Sequence, residues 1–419
     1  MKRRLLLAAV ILINTVIFGC GPIFFIETEN SNSCDVPSQN EYLYRLMKHS
    51  YLWNDQVPDV DYLASPSPEE LMKELIYTPV DKWSTIISAE TFHSRFIRGE
   101  YTGYGFMYEI QTEALLIKLV YKLSPAEMAG LLRGEKITAI NGESLLDIVS
   151  QDKLSDVLSH GDAASFEIMG KDGSLRTIVM NKGTVNASGV QLGKVIQLPS
   201  GKKAGYLLFQ NFTEAAYDDL LNAFALFESE QIEELAVDLR YNGGGTVSSA
   251  NYLAGLIAGS TAQGKRFVQL SYNDLNKNLD NEYLLPDTGI NLSLSRVFVI
   301  TTSNTCSSSE ALVKGLSPHM NVVQIGSSTC GKPVGFRAYS YCEKVFLPVS
   351  FRFVNADGEK DWFDGIQPLC GADDDLANEL GDSNEGMLAA TFDYVEAGTC
   401  VTPKISKGRR IVDFFKNNG

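Results

Sequence analysis

The feature that most constrains the fold is an alternation of apolar strands with amphipathic helices in the second half of the chain. The strand-like apolar runs are residues 204–209, 235–239, 297–300 and 322–325. Helical patterns lie between these runs, and regular alternation of the two kinds of element is typical of α/β domains. We therefore predict an α/β domain over residues 183–400, followed by a C-terminal tail over residues 401–419.

Length and charge narrow the class of protein further. The chain has 419 residues, which predicts two or three domains. Its formal net charge is −15. This charge argues against nucleic acid and against anionic membrane surfaces as partners, because both attract basic patches.

The N-terminus predicts export. Residues 1–4 are basic, residues 5–18 are largely apolar, and Cys20 follows a glycine. This order is typical of a bacterial lipoprotein signal. We therefore predict a signal peptide over residues 1–19, lipidation of Cys20, and a tether over residues 20–39.

The lipoprotein interpretation places the protein in the cell envelope, held to the membrane by its lipid anchor. Either the periplasmic side or the outer surface of the outer membrane fits. Two alternatives stay open. In one, the signal is cleaved and the cysteine is incidental. In the other, an uncleaved helix spans the bilayer, because apolar residues continue to Ile26.

Six further cysteines follow Cys20. They are Cys34, Cys306, Cys330, Cys342, Cys370 and Cys400. An even number in an exported chain permits disulfides, and about fifteen pairings are open. Because the sequence has no Cys-x-x-Cys motif and no Cys/His cluster, we expect neither a zinc site nor any other cofactor.

Residues 40–100 carry helical signals. Tyr42, Leu43 and Met47 recur at helix spacing, and Ser67 precedes a Pro-Glu-Glu segment that is typical of a helix start. These signals predict a small N-terminal helical domain that caps the rest of the chain.

Residues 101–182 resemble a PDZ domain. The Gly-Tyr-Gly-Phe segment that contains Gly105 and Phe106 opens this region, and the run 124–143 contains a short helix, a strand and an Asn-Gly turn. In PDZ domains a glycine-rich loop offers backbone N–H groups to a peptide's terminal carboxylate, and the peptide adds as an extra strand. The resemblance implies a β-rich domain in which Gly105 and Phe106 bind the peptide. An ordinary strand turn with glycines is the alternative.

Three segments of the α/β domain carry residues suited to hydrolysis. Residues 238–245 end in three glycines, which let a backbone turn tightly and aim N–H groups into a cleft. Ser307 lies at a helix start, where the next N–H is free of helix bonding and the dipole favours negative charge. Lys332 follows 25 residues later. A lysine held neutral can take the proton of a serine, as in Ser-Lys variants of the catalytic triad.

Taken together and in order, these features resemble the S41 peptidases. They are the signal, the PDZ-like segment, the 238–245 turn, the Ser-x-Ser-Glu segment at Ser307 and the Gly-Lys pair at Lys332. These are the C-terminal processing, or tail-specific, proteases. The resemblance covers residues 40–395 and looks closest to the lipoprotein branch found in Bacteroidetes. It implies a multidomain α/β chain, a protease domain of the ClpP/crotonase-like type, and protein or peptide substrates with exposed C-termini.

The resemblance also implies a role for each matching residue. Ser307 attacks the scissile carbonyl, and neutral Lys332 accepts its proton and returns it to the leaving amine. The backbone N–H groups of Ser308 and Gly244 hold the oxyanion. Because an ordinary lysine has a pKa of about 10.4, we expect burial among apolar neighbours to lower it.

Several neighbouring residues have expected roles outside the chemistry. Some relatives have a glutamine at the position of Phe336 and an aspartate at that of Pro318, so the orienting partner of Lys332 stays unassigned. Glu310 is expected to support its own helix N-terminus, and Arg240 to form a salt bridge or anchor the loop. The acidic stretch 371–386 is expected to be a solvated surface.

Other functions compete with the protease interpretation. Cys306 beside Ser307 could be a nucleophile, and His319 could suggest Ser-His chemistry, but the glycine turn and the helix start favour Ser307. The Gly-x-Ser-x-Gly and His-Glu-x-x-His motifs are absent from the sequence. The main alternative is an S41-like lipoprotein that binds peptides or glycans with little or no cleavage, and a third is a hydrolase of non-peptide esters or amides.

Overall fold

The computed structural model describes residues 26–28, 33–187 and 189–401. The predicted signal peptide, Cys20 and all but the first residue of the predicted C-terminal tail lie outside the described residues.

The N-terminal part is mainly helical. Its elements are β1 (Ile26–Thr28), α1 (Val36–Ser50), α2 (Pro68–Leu75), β2 (Thr85–Ser88) and α3 (Ala89–Phe92). α1 begins within the predicted tether, which is therefore shorter than expected. The reason is local: the Asp35 carboxylate accepts the Ser38 N–H at 2.9 Å and so caps the helix, while Pro37 fits the first turn.

A β-rich insertion follows, which we call the middle module (residues 100–186). Its elements are β3 (Glu100–Gly103), β4 (Phe106–Ile110), β5 (Leu115–Val120), α4 (Pro125–Met128), β6 (Lys136–Ile140), β7 (Glu143–Ser144), α5 (Leu145–Ser150), α6 (Leu154–Ser159), β8 (Ala163–Met169), β9 (Leu175–Asn181) and β10 (Gly183–Asn186). β3 and β10 pair antiparallel where the module begins and ends. The main sheet has the order β4-β5-β6-β8-β9, which leaves β4 at one edge.

The middle module has its own hydrophobic core. Ile117, Ile137 and Phe166, from three different strands, are fully buried in it. Because a separate core is what makes a segment a folding unit, the middle module is a structural unit of its own, and the predicted range 101–182 lies within it.

The third part contains the predicted α/β domain. Its elements are β11 (Val190–Gln197), β12 (Lys203–Phe209), α7 (Tyr217–Ser229), β13 (Glu234–Asp238), α8 (Val247–Ala258), β14 (Arg266–Tyr272), β15 (Asn281–Leu284), β16 (Arg296–Thr301), α9 (Ser308–Leu316), β17 (Asn321–Gly326), β18 (Val334–Phe336), β19 (Ala338–Tyr341), β20 (Lys344–Leu347), β21 (Val349–Asn355), β22 (Cys370–Gly371) and α10 (Gly386–Ala397). The main sheet has the order β11-β12-β13-β16-β17-β22. β11 is antiparallel to β12, and the other neighbours are parallel.

Helices cover both faces of this sheet. Residues of α7, α8 and α9 share one core with alternate sheet residues such as Leu235 and Val299. α10 covers the other face, where Leu388 packs in a second core with Tyr206 and Phe298. Burial on both faces explains why β13 is apolar along most of its length. The α/β prediction for this part of the chain is confirmed.

The N-terminal helices have no core separate from this domain. β2 pairs with β20, and Leu43 and Leu71 of the helices pack with Tyr339 and Phe346. The predicted cap is thus built into the domain. The residues that β2 and these helices contact lie roughly 260–300 positions further along the chain. A local sequence pattern therefore could not predict these contacts.

Candidate active site

Loops after three neighbouring parallel strands form the predicted site. β13 leads into the glycine turn at residues 239–245, β16 leads to the loop that carries Ser307, and β17 leads to the loop that carries Lys332. These strands are adjacent in the sheet. Because the carboxyl ends of parallel strands meet at one edge, the structure brings the three predicted segments together.

Ser307 is held in a strained conformation directly before α9. Its φ and ψ are 55° and −115°, and a non-glycine residue in such a sparsely populated region costs about 1–3 kcal/mol. Only 9% of its surface is exposed. The residue therefore lies nearly buried at a helix N-terminus, where the helix dipole stabilises developing negative charge.

The carboxylate of Glu310 joins the serine loop to the lysine loop. Its Oε2 accepts the Ser307 N–H at 3.0 Å and the Lys332 N–H at 2.8 Å. Its Oε1 accepts the Thr329 hydroxyl at 2.5 Å and the Gly331 N–H at 2.9 Å. Because Ser307 and Lys332 share one oxygen, their backbone nitrogens lie within about 6 Å of each other. Glu310 was predicted to support its own helix N-terminus, and in the structure it also binds the backbone of the lysine loop.

Glu310 is fully buried. Burial raises the pKa of its carboxyl group, whereas the hydrogen bonds from Thr329, Lys332, Gly331 and Ser307 act in the opposite direction. These four bonds are what make a buried carboxylate tolerable at this position.

A disulfide runs alongside this carboxylate. Cys306 and Cys330 are bonded, with their Cα atoms 5.3 Å apart. The bond links the residue before Ser307 to a residue two positions before Lys332. A sulfur bonded in this way cannot act as a nucleophile, so the alternative of Cys306 as the attacking group does not hold in this structure. The other two pairs are Cys34–Cys342 and Cys370–Cys400.

Hydroxyl groups attach the serine loop to the glycine turn. Ser308 Oγ donates to the Gly245 carbonyl at 2.7 Å, and Ser309 Oγ donates to the Asn242 carbonyl at 2.9 Å. Thr305 Oγ1 similarly donates to Leu239 O at 2.8 Å. Short hydroxyl side chains suit these close contacts, which explains the density of Ser and Thr in the loop before α9 and in its first turn.

The glycine turn lies directly against the nucleophile. A Cβ on Gly244 would be 2.9 Å from Ser307 Cβ and 3.1 Å from Ser308 N, and Gly244 has a φ of +105°. The two predicted oxyanion donors are therefore neighbours. The Gly244 N–H, however, donates to Asn242 Oδ1 at 2.9 Å. The role of both N–H groups in holding an oxyanion stays a prediction.

Lys332 is placed by its glycine neighbour. Gly331 has a φ of +78°, and a Cβ there would lie 2.0 Å from the Phe363 carbonyl oxygen, so only glycine fits. Lys332 itself is half-buried, and its Nζ is 3.8 Å from the centre of the Phe336 ring. The sequence predicts apolar burial of this lysine, and the structure adds a direct contact between its Nζ and the face of the Phe336 ring.

Arg240 anchors the start of the glycine turn. It is fully buried and pairs with Asp238 at 2.7 Å, with Glu385 at 2.6 Å and with Asp374 at 2.9 Å. The prediction of a salt bridge is confirmed. The expectation that residues 371–386 form a solvated surface is wrong for Asp374 and Glu385, because their carboxylates neutralise a buried arginine.

The same cluster connects the middle module to the glycine turn. Arg133 of the module pairs with Asp374 at 2.5 Å and donates to Tyr241 Oη at 2.6 Å. Burial alone would raise the pKa of Asp374, but Arg133, Arg240 and Lys118 hold it far below its usual range. Tyr241 lies in the turn, so the position of the module and that of the turn are coupled through these bonds.

Other predicted residues lie elsewhere. Gly105 and Phe106 line a separate cavity in the middle module. His319 follows α9, and its ring Nε2 lies 2.7 Å from the Arg266 carbonyl oxygen, which takes it out of the chemistry. No described helix is both long and apolar enough to cross a membrane. Within the same described residues, no group of three or more His, Cys, Asp or Glu side chains could hold a metal ion.

A sheet whose loops hold a serine at a helix N-terminus, against a glycine turn, is typical of hydrolytic enzymes with a serine nucleophile. The chain contains peptidase S41 family domains. The peptidase family S41 model matches residues 203–368, and the peptidase S41 N-terminal domain model matches residues 38–85.

Similar proteins agree with this assignment. The carboxy-terminal processing protease CtpA of Bacillus subtilis (strain 168) is 24% identical over 383 residues, covering 88% of this chain and 77% of the relative. A probable CtpA-like serine protease of Staphylococcus aureus (strain COL) is 22% identical over 375 residues, covering 87% and 71%.

Solved structures share the fold. A crystal structure from Bacteroides fragilis NCTC 9343, assigned to the S41 proteases, has a TM-score of 0.70 at 25% identity and covers 88% of this chain and 100% of its own. The photosystem II D1 C-terminal processing protease has a TM-score of 0.52 at 17% identity, covering 85% and 97%. The family models and the CtpA relatives together support a serine-type protease.

Proposed function

We propose that the chain is a serine endopeptidase of the C-terminal processing type, with Ser307 as nucleophile and Lys332 as general base. The observation that carries the proposal is the single oxygen of Glu310 that binds the backbone of both residues. A structural helix cap needs no second loop, whereas a dyad needs both loops held in one register. The processing-protease relatives support protein substrates for this chain.

The reaction divides into two steps. In the first, neutral Lys332 takes the proton of Ser307 Oγ while Oγ bonds to the scissile carbonyl carbon. The resulting tetrahedral species collapses, the C–N bond breaks, and Lys332 returns the proton to the leaving amine. In the second step a water molecule gives a proton to Lys332 while its oxygen bonds to the acyl carbon. The ester C–Oγ bond then breaks, and Lys332 returns the proton to Ser307 Oγ, which releases the new carboxyl terminus.

The described conformation corresponds to a resting state in this scheme. Lys332 Nζ must leave the ring of Phe336 and lose its proton, and the Gly244 N–H must release Asn242 Oδ1 to face an oxyanion. The Ser308 N–H is in the first turn of α9, where helix geometry leaves it without an intrahelical acceptor. Each oxyanion donor is expected to contribute about 3–4 kcal/mol to transition-state stabilisation.

The middle module is proposed to act as a PDZ domain that engages substrate C-termini. β4 is terminal in the order of its sheet, so a peptide can add beside it as a further strand. The loop that contains Gly105 precedes β4, and α6 supplies Leu158 to the lining of the same cavity. This arrangement suits a peptide that ends in the cavity, bound through Gly105 and Phe106.

Export is proposed from two features. Cys20 is the predicted lipidation site, and the six cysteines that follow it are all paired among the described residues. Disulfides persist in oxidising compartments outside the cytoplasm. Mass spectrometry of the mature N-terminus tests the anchor: a lipid adduct on Cys20 supports it, and an unmodified cysteine overturns it.

The catalytic proposal is tested by turnover of an unfolded protein and of peptides with free C-termini. We expect Ser307→Ala and Lys332→Met to abolish hydrolysis, while Ser303→Ala, an exposed serine in the same loop, leaves it unchanged. Residual turnover by Ser307→Ala at the rate of the parent would refute the assignment of the nucleophile.

A binding protein with little or no turnover is the second candidate, and the ring contact of Lys332 favours it. A parent protein that binds peptides and cleaves none of a broad substrate set would support this candidate. A parent that cleaves only non-peptide esters or amides would instead indicate the third, a hydrolase of another substrate class.

A further inference from the structure

The cavity beside β4 is aromatic and small. It has a volume of about 180 Å³ and is lined by Tyr101, Tyr104, Phe106, Tyr108 and Leu158, among others. The aromatic and aliphatic part of this lining suits one apolar side chain. Residues 102–105 also line the cavity.

Lys182 brings a positive charge to that cavity. Of the described residues that line it, Lys182 is the one with a charged side chain. Its Nζ donates to the Ser159 carbonyl oxygen at the end of α6 and lies 5.7 Å from the centre of the Tyr104 ring. An ammonium has three N–H donors, so this contact with Ser159 leaves donor capacity for a ligand.

A hydroxyl of a residue that lines the same cavity lacks a partner. Tyr104 Oη is buried and makes no hydrogen bond within the described part of the chain, and its residue lines the cavity together with Lys182. Buried polar groups are almost always bonded to protein, water or ligand. An orphaned hydroxyl on a residue of this lining is therefore a second and independent sign that a polar ligand group belongs in the cavity.

We infer that Lys182 and the Tyr104 hydroxyl recognise the free α-carboxylate of a captured peptide, whose apolar last side chain fills the aromatic cavity. This assignment rests on the proposed capture of substrate C-termini. The net charge of −15 repels an anionic chain end at long range. A local cation is needed to reverse that preference, and Lys182 provides it in the lining of the cavity. Lys182 is thus the residue that distinguishes a chain end from an internal segment.

The test compares short fluorescein-labelled peptides that end in Leu, Val, Phe or Ala, each as free acid and as C-terminal amide. Anisotropy is measured with the Ser307→Ala protein, so that binding is not followed by cleavage. We expect the best acid to bind about 10- to 100-fold more tightly than its amide, because a charge-assisted hydrogen bond is lost in the amide. Lys182→Gln in the same background should reduce that ratio to about one by weakening the acid alone.

Two variants serve as controls. Lys182→Arg keeps the charge and should keep most of the preference for the acid. Lys153→Gln removes the same charge from an exposed site of the module that does not line the cavity, and it should leave the ratio unchanged. Circular dichroism and thermal unfolding establish that each variant is folded.

The outcomes separate the two proposals. If Lys182→Gln retains the acid preference of the parent, the role of Lys182 is refuted while peptide capture stands. If the parent binds acid and amide equally, recognition of the carboxylate is refuted. If no peptide of either form binds, capture by the middle module fails, and the assignment of Lys182 fails with it.

Discussion

Replacing Glu310 with glutamine is expected to loosen the connection between the serine loop and the lysine loop. The carboxylate accepts four hydrogen bonds, two at each oxygen. Glutamine has nearly the same shape but offers one oxygen and one NH₂ group. Whichever way the amide is oriented, two of the four donors then face another donor.

The magnitude follows from this count. Hydrogen bonds to charged groups are worth about 1.5–3 kcal/mol each, so two lost bonds correspond to roughly 3–6 kcal/mol. Part of the loss is offset because a neutral amide is less costly to bury than a carboxylate, and we therefore expect the free energy of unfolding to fall by about 2–4 kcal/mol. A loss of only about 2.7 kcal/mol in transition-state stabilisation would already slow acylation about 100-fold.

Two measurements are needed, because instability alone could account for lost activity. Denaturant unfolding gives the stability, and the rate of labelling by a fluorophosphonate probe, at a temperature where the variant is folded, reports the reactivity of Ser307. Glu135→Gln is the matched control. This carboxylate is also buried and pairs with Arg176 in the middle module, so it should destabilise without slowing the labelling. A folded Glu310→Gln protein that is labelled within about threefold of the parent rate would refute the positioning role.

Three further predictions follow from the same geometry. Gly244→Ala should lower activity by at least about 100-fold, because its Cβ would press on the nucleophile. Gly243→Ala is the control and should be tolerated, because its Cβ meets nothing within 4 Å. Equal activities of the two variants would contradict this prediction. Asp374 has a pKa held below its usual range, so it contributes stability that is present above the unfolded pKa of about 3.9 and lost as the pH falls through the folded value. Asp374→Asn should therefore be less stable than the parent at neutral pH. Its free energy of unfolding, measured in urea, should also fall less steeply as the pH is lowered. A pH dependence as steep as that of the parent would argue against this role of Asp374. Replacing both Cys306 and Cys330 with alanine opens a loop of 24 residues and should lower the free energy of unfolding by about 3.5 kcal/mol on the chain-entropy model. If the probe labels Ser307 in this variant as fast as in the parent, the disulfide stabilises the fold and has no role in positioning Ser307.

Much of the site could be predicted because its parts are local. A strand, a turn and a helix start each leave a signal in a few consecutive residues, and Ser307 and the glycine turn were found from such signals. The structure brings both towards the Lys332 loop because β13, β16 and β17 are adjacent in the sheet. The predicted bounds of 101–182 rest on the resemblance to a PDZ domain, and the middle module forms its core from its own strands.

What could not be predicted depends on contacts between distant residues. Glu310 resembles any acidic residue in a first helical turn, and its second partner appears only when the Thr329–Lys332 loop folds back onto it. The acidic stretch that contains Glu385 has the composition of a solvated surface, and only the buried charge of Arg240 accounts for its position. Spacing likewise could not choose among the disulfide pairings.

The pairing of Arg240 with Glu385 makes the glycine turn depend on a distant part of the chain. The two residues are 145 positions apart in the sequence, and the arginine is completely buried. Burying Arg240 without Glu385 would leave part of a charge uncompensated. A fragment that keeps the serine, the lysine and the glycine turn but lacks Glu385 and α10 is therefore expected not to hold this turn in place beside Ser307.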